Sequence, residues 1–509
     1  MASITNSLSS IFFSNHLRKI RRFVAEPIET QEAVFRNLIK RAEHTTWGQL
    51  YSYPSFDNIA DYRESVPLST YEDFEPYFEE IMNGKQNLLW PDTISWFSKS
   101  SGTTTGKSKY IPVSKETLFN CHYDAGKAMI ASYIDNRSNS KLLFGRNISV
   151  SGSYLSQSNT SNDYLVGDIS AILMQNLPKW AEYIKIPSTK LTLISDWEEK
   201  INMIAEAVVK KNVVSILGVP SWMLVILRTI EKMSGKHIDE LWPNLEVFFH
   251  GGVDFTPYRD RYNELIHSPN MRYMSIYNAS EGYFAFQNDL DSDDMLLLLD
   301  YGIFYEFVPI DKLSHGSHYA IGLEDVKLGE NYAMVISTNS GLWRYVIGDT
   351  VKFTSLNPFK IKISGRTQAF INVVGEEVIL SNSNKAIDYA CKMTQAILAD
   401  YTVAPKIYSD TNTAHEWLIE FEKQPDNIEQ FRKYLDEGLM EENSDYKAKR
   451  FNDMVLKAPE VHIVPQGTFY KWFKSKNKLG GQNKIRRLSN DRHIVDEILL
   501  ILQNSQLCI

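Results

Sequence analysis

"VVSILGVPSWMLVILRTIEKMSG", Val213 to Gly235, decides the fold. It opens with a short run of aliphatic and β-branched residues closed by Gly218 and Pro220, the pattern of a buried strand. The remainder repeats apolar residues at helical spacing, with Ser221 expected as the N-cap and Gly235 as the C-terminal stop. The same alternation continues on both sides. "KLLFGRNISVSG" from Lys141 reads as a strand and "EEKINMIAEAVVKK" from Glu198 as a helix. "LEVFFHGG" from Leu245 and "RYMSIYNAS" from Arg272 read as strands that each run into a polar or glycine-rich loop. Strands alternating with helices indicate βαβ units and a largely parallel sheet. Ligands of such sheets bind beyond the carboxyl ends of the strands, so the loops after Phe249 and Tyr277 are the first places to look.

Further out, residues 28–45 place Val34, Leu38 and Ile39 on one helical face. Past residue 300 the texture turns antiparallel. "GIFYEFVPI", "NYAMVISTNSGLWRYVIGDTVKF" and "FKIKISGRT" read as strands, with turns expected at Asn339-Ser340-Gly341 and at Gly348-Asp349. After about residue 365 comes a smaller α+β piece, with a strand pair near 405–421 and helices near 427–442 and 493–503.

The bulk numbers exclude several classes. The 509 residues carry 54 Lys and Arg against 62 Asp and Glu, so no general basic field points to nucleic acid. No stretch approaches the roughly 20 apolar residues of a membrane span, and the apolar run near the N-terminus, Ile11 to Phe13, is too short for a secretory signal. Three cysteines, Cys121, Cys391 and Cys508, make no disulfide framework and fit a reducing, cytoplasmic setting. There is no G-x-S-x-G elbow, C-x-x-C pair, H-E-x-x-H helix or G-x-G-x-x-G loop.

Five segments carry chemistry when read together. "SWFSKSSGTTTGKSKYIPVS" from Ser95 nearly spells a P-loop, but Gly102 to Ser108 is one residue short of it. The "KYIPVS" that follows contains a proline and reads as a strand, not a helix. The backbone amides from Gly102 to Gly106, with the hydroxyls of Ser100, Ser101, Thr103, Thr104 and Thr105, suit an anion nest for pyrophosphate oxygens. An ordinary Gly/Ser turn gives the same letters. "FFHGGVDFTPY" sets Gly251, Gly252 and Val253 after a strand, where a flat ring can approach the backbone. "YNASEG" brings Tyr277, Asn278, Ala279 and Ser280 to a strand end, with Glu281 as an oxygen ligand for Mg²⁺. "WRYVIGDTVKF" offers Asp349 to ribose hydroxyls, and "ISGRTQAFINVVGEEV" offers Arg366 as a second ribose or phosphate donor. Residues 441–492 hold twelve Lys and Arg against six Asp and Glu, the ordinary reading being a solvated face.

In this order, "SSGTTTGKSKYIP", "HGGVDFTPY", "YNASEG", "RYVIGD" and "GGQNKIRRLSNDR" resemble the acyl-acid amido synthetases of the auxin-responsive-promoter type, within the adenylate-forming superfamily of acyl and aryl ligases. The resemblance runs from about residue 30 to 495. It implies an α/β fold: a large N-terminal adenylate-forming domain with mixed sheets and a β-rich subdomain, over 1–362, binding acid and ATP. A small, mobile α+β C-terminal domain would cover 363–509. It further implies that ATP and Mg²⁺ convert a small-molecule carboxylic acid to an acyl-adenylate, releasing pyrophosphate, and that the amine of an amino acid displaces AMP. Ser100 to Gly106 would hold phosphates, Glu281 the metal, and Tyr277 with Gly251 to Val253 the adenine. Asp349 and Arg366 would meet the ribose, and Lys484 matches the C-terminal lysine that reaches the adenylation site. The family signature has proline where this chain has Arg486.

The acid pocket is drawn from Pro220, Trp222, Tyr301 and Phe304, all of which are also ordinary core residues. Two other readings stay open. One is an adenylating ligase that passes the acyl group to a thiol such as coenzyme A, and the other is a non-catalytic nucleotide binder. Neither nucleic acid nor membrane is an expected partner, and the chain is expected as a monomer or weak homo-oligomer.

Overall fold

The computed structural model describes residues 2–100, 109–151, 154–155, 164–192, 194, 197–252, 255–313, 317–367, 370–371, 376, 378–409, 412–450, 456–476, 478, 484–489 and 491–506. Ser101 to Gly106 and Val253 therefore lie outside the described residues, and Ser100, Trp222 and Arg366 are described by their backbone alone. The chain divides into two compact units, one of residues 1–347 with 351–363, the other of 348–350 with 364–509.

In the first unit the strands are β1 (Trp96–Ser100), β2 (Lys109–Val113), β3 (Arg146–Ser149), β4 (Tyr154–Leu155), β5 (Leu165–Gly167) and β6 (Lys185–Ile186). They continue as β7 (Val213–Gly218), β8 (Val247–Gly251), β9 (Arg272–Ala279), β10 (Gly282–Phe286) and β11 (Met295–Leu297). Last come β12 (Ile303–Pro309), β13 (Asn331–Thr338), β14 (Tyr345–Leu356) and β15 (Phe359–Arg366), of which residues 348–350 of β14 and 364–366 of β15 belong to the second unit. Eleven of them form one sheet in the order β12-β13-β14-β15-β11-β10-β9-β8-β7-β3-β6. From β6 to β9 the neighbours are parallel, and β10 turns back antiparallel on β9. The change of texture near residue 300 thus falls within a continuous sheet.

Why the parallel strands read as unbroken apolar runs is visible in β8. Val247 and Phe249 enter one core, with the N-terminal helices, while Phe248 enters another, under the helices Trp197–Val208 and Pro220–Ser234. A strand buried on both faces has no polar side to show. Helix Pro27–Ala42 buries Val34, Leu38 and Ile39 as the spacing requires.

Two local expectations change. Helix Pro220–Ser234 ends on Gly235 in the left-handed conformation (φ 67°), but its N-cap is Val219. Pro220 occupies the first helical position, where its missing N–H costs nothing, and Ser221 lies inside the helix. Asn339-Ser340-Gly341 is the turn between β13 and β14, with Gly341 at φ 87°. Gly348-Asp349 instead sits inside β14, where Gly348 takes φ 89°. Only glycine enters that region cheaply, so a turn residue here serves an irregularity within a strand.

In the second unit, β16 (Phe370–Ile371) pairs with β17 (Val378–Ile379), and β18 (Ile397–Ser409), β19 (Asn412–Lys423) and β20 (Glu460–Val464) form a three-stranded sheet. Helices Leu380–Thr394 and Ile428–Glu442 pack together, with Gly438 against Ala386: a Cβ at Gly438 would lie 2.8 Å from the Ala386 Cα.

Candidate active site

The strands on either side of the Ser/Thr/Gly segment, β1 and β2, are antiparallel, and Ser100 pairs with Lys109. "KYIPV" is the second strand, as its proline and β-branched residue required. A hairpin carries "YNASEG". Gly282 of β10 pairs with Ala279 of β9, leaving Ser280 and Glu281 as the connecting turn. The two strand pairs are joined by a hydroxyl pair, Ser98 Oγ to Ser280 Oγ at 2.8 Å. Ser98 is fully buried. The stem of the phosphate-loop candidate is thereby fixed beside the turn that carries Glu281, although the two lie 182 residues apart in sequence. Sequence reasoning passed over Ser98, because a serine in a strand carries no signal of its partner.

Tyr277 is 5% exposed and its ring stands edge-on to Phe284, centroids 4.8 Å apart. The ring belongs to the core. Asn278 Oδ1 is buried and has no hydrogen-bond partner among the described residues.

At the end of β8 the glycines have a reason that sequence reading did not supply. A Cβ on Gly251 would come within 2.6 Å of the Ile276 carbonyl oxygen on the neighbouring β9. Gly252 takes φ 83°. Gly251→Ala is accordingly expected to destabilise the protein by about 1–3 kcal/mol, since backbone sets the clash; chemical denaturation of the variant checks this, and an unchanged midpoint would refute it. His250, just before, is buried and stacked on Phe255 at 4.0 Å. Burial, helped by the Arg259 cation, pushes its pKa down to about 3, so the ring is neutral.

Tyr301 and Phe304, named for the acid pocket, stand in the main core. Both are buried, Tyr301 edge-on to Phe23 and Phe304 against Phe35. Each fills the main core, the commoner use of an aromatic side chain. Pro220 starts a helix directly after β7, and its carbonyl accepts the Tyr262 hydroxyl at 2.8 Å.

The second unit holds Asp349, Arg366 and Lys484. The Thr367 N–H donates to the Gly348 carbonyl at 2.8 Å, which sets Asp349 and Arg366, one residue further in, on neighbouring strands at the open end of the β14–β15 hairpin. Lys484 is partly exposed. Just beyond it the chain is pinned along β18. Val403 N–H donates to the Arg487 carbonyl at 2.7 Å, Ser489 N–H to the Val403 carbonyl at 3.0 Å, and Thr402 Oγ1 to the Arg486 carbonyl at 2.7 Å. Arg486, the departure from the family signature, contributes its carbonyl to this edge.

Glu416, Glu460 and His462 form a group with metal-ligand chemistry in the second unit. Its carboxylates are already taken. Lys406 Nζ lies 2.9 Å from Glu416 and 2.6 Å from Glu460, and Arg492 lies 2.7 Å from Glu416. Burial alone would raise the Glu416 pKa, but hydrogen bonds from His462, Lys406 and Arg492 bring it down to about 2. This is an ion network. His462 is held above its usual 6.5 by the Glu416 hydrogen bond, against the opposing effect of burial. A raised folded pKa means that its contribution is complete below about pH 6.5 and fades as pH rises through the folded value. The melting-temperature difference between wild type and His462→Gln should therefore shrink on raising the pH, and a difference that stays constant would exclude this linkage.

Residues 16–271 match the GH3 family N-terminal domain, 296–366 its central domain and 381–493 its C-terminal domain. Among characterised relatives, the 4-substituted benzoates-glutamate ligase GH3.12 of Arabidopsis thaliana is 24% identical, over 90% of this chain and 92% of the relative. The jasmonoyl-L-amino acid synthetase JAR4 of Nicotiana attenuata is 21% identical over 87% of each. The AtGH3.15 acyl acid amido synthetase in complex with 2,4-DB superposes over 96% of both chains with a TM-score of 0.79 at 18% identity. A 2-hydroxyisobutyryl-CoA ligase in complex with 2-HIB-AMP follows at 0.60 and 13%, over 93% of this chain and 92% of that one. The fold is that of adenylate-forming ligases, and the protein belongs to the GH3 family.

Proposed function

We infer that the protein is an acid–amino acid ligase: it activates a carboxylic acid with ATP as an acyl-adenylate, releases pyrophosphate, and joins the acyl group to an amino acid through an amide bond. The observation that carries the reading is the pairing of the β1–β2 loop stem with the Ser280-Glu281 turn through Ser98, in a chain whose named relatives are amino acid-conjugating synthetases. In this reading the Ser100 to Gly106 loop receives the phosphates, and the residues from Gly251 to Val253 and from Tyr277 to Ser280 flank the base. Asp349 and Arg366 meet the ribose. Glu281 fits Mg²⁺, which binds through one or two carboxylates together with substrate phosphates; when bound, the ion neutralises charge on the phosphate oxygens. The first unit holds acid and nucleotide, and the second turns between the two half-reactions to bring Lys484 to the phosphate.

Transfer to a thiol is the second reading, favoured by the likeness in fold to a CoA ligase. One experiment separates them. Purified protein is given ATP, Mg²⁺ and pooled aryl, indolyl and aliphatic acids, with pooled amino acids or with coenzyme A. AMP production that needs an amino acid, with an amide product by mass, supports the amide reading. Dependence on coenzyme A would replace it, and tight ATP binding without turnover under any pool would point to a binder.

A further inference from the structure

Arg487 stands three residues after Lys484 and is 8% exposed, so its guanidinium lies almost out of water. Burial of a charge is repaid only where hydrogen bonds meet it, and here they do. Nε donates to Asp400 Oδ1 at 3.1 Å, and Nη1 donates to Asn384 Oδ1 at 3.0 Å. The guanidinium carbon lies 5.0 Å from the centre of the Tyr401 ring, which stacks in turn on Trp417 at 5.2 Å. Both acceptors are themselves held. Asn384 Oδ1 also accepts the Tyr401 hydroxyl at 2.7 Å, and Asp400 Oδ1 accepts the Tyr401 N–H at 2.9 Å. One side chain thus joins the segment after Lys484 both to the helix Leu380–Thr394 and to β18.

That segment is otherwise thinly held. It meets β18 through one parallel bridge, Leu488 with Val403, supported by the hydrogen bonds of Val403 with Arg487 and Ser489 and of Thr402 with Arg486. These bonds fix the line along which the chain runs. A planar fork whose acceptors sit on two different elements fixes rotation about that line, and with it the direction in which the residues just before Arg487 leave the segment. A hydrophobic side chain at 487 would fill the space without setting that direction.

We propose that Arg487 is a positioning residue for Lys484: its guanidinium, clamped between Asp400 and Asn384, fixes the direction from which the lysine is presented to the phosphate. This rests on the ligase reading. Arg487 acts through Lys484 and touches no substrate itself. The role therefore predicts an asymmetry between the two half-reactions that a packing residue would not show, because Lys484 serves adenylation and not amide formation.

The test compares wild type, Arg487→Leu, Arg487→Lys, Lys484→Ala and the double variant Lys484→Ala/Arg487→Leu in each half-reaction. In acid-dependent pyrophosphate release Arg487→Leu is expected to lose about 50-fold, since a misplacement of about 1 Å is worth up to about 10²-fold. Given preformed acyl-adenylate and amino acid, the same variant should form amide at close to the wild-type rate. Arg487→Lys keeps the charge without the fork. It should lose about tenfold in the first half-reaction alone, the worth of one hydrogen bond, and it carries the test if Arg487→Leu does not fold. The double variant should be no worse than Lys484→Ala. Equal losses in the two half-reactions would overturn the proposal, and so would multiplicative losses in the double variant. If wild type releases no pyrophosphate with any acid, the ligase reading fails on its own. Hydrogen exchange then decides the clamp. The Ser489 N–H, which donates to the Val403 carbonyl, should exchange about tenfold faster in Arg487→Lys than in wild type, with the amides of β19 unchanged; equal exchange at Ser489 would overturn it.

Discussion

Lys484→Ala protein is expected to show acid-dependent pyrophosphate release reduced by about 10²–10³-fold, equivalent to roughly 3–4 kcal/mol, at unchanged thermal stability. Attack of a carboxylate on the α-phosphate brings two anions together and spreads charge over the oxygens of a five-coordinate phosphorus. A cation held at those oxygens stabilises the transition state more than the ground state, which is where rate comes from. The fold suits Lys484 to that role. Its side chain is partly exposed, whereas the next residue, Ile485, is buried and the following carbonyls are pinned to β18. The lysine is therefore carried at the edge of an anchored segment. Lys484→Arg keeps the charge but replaces a compact ammonium with a planar fork, and should recover only part of the rate. The reading of half-reactions adds a sharper check. Supplied with preformed acyl-adenylate and amino acid, Lys484→Ala should form amide at close to the wild-type rate. Pyrophosphate release within fivefold of wild type would remove Lys484 from the phosphate.

What the sequence disclosed and what it hid follow from the range of each interaction. The parallel strands were legible because β7 and β8 are buried on both faces, and burial leaves a continuous apolar run. Gly235 was legible because a left-handed C-cap is a local demand. The cap falls two residues before Ser221: proline took the first helical position and moved the cap to Val219. Gly348 looked like a turn because a positive φ is needed there, but flanking strand pairing decides the outcome. The Ser98–Ser280 contact was invisible, since neither partner is unusual where it stands. In "WRYVIGD", nothing local marks Arg344, whose partners come from distant segments.

Arg344 carries the largest stability effect expected in the first unit. Its side chain is fully buried and faces Glu306, which is 1% exposed, with Nε to Oε2 at 3.0 Å and Nη2 to Oε1 at 3.1 Å. The remaining donors reach the carbonyls of Arg63 at 2.8 Å, Val66 at 2.6 Å and His318 at 2.9 Å. Arg63 Nε also donates to Glu306 Oε1 at 2.9 Å. Every group is satisfied, which is the condition under which a buried ion pair repays its desolvation. The backbone argues the same way. Arg344 is held at φ 44°, a region that costs a non-glycine residue about 1–3 kcal/mol, and the side-chain network is what over-determines it. Arg344→Met would strand the Glu306 carboxylate with only Arg63 and take a donor from three carbonyls, of which that of Arg63 keeps a 3.3 Å contact with the His318 ring. We expect a loss of about 3–5 kcal/mol, read as a lower denaturation midpoint in urea. Glu306→Gln should lose less, because the Arg344 guanidinium keeps its three carbonyls and one of the two side-chain oxygens that accept from it. The Met/Gln double variant should be less destabilised than the sum of the two, since the second change removes a charge that the first left unpaired. Additive losses would mean that the two side chains act separately and that the ion pair is incidental to the fold.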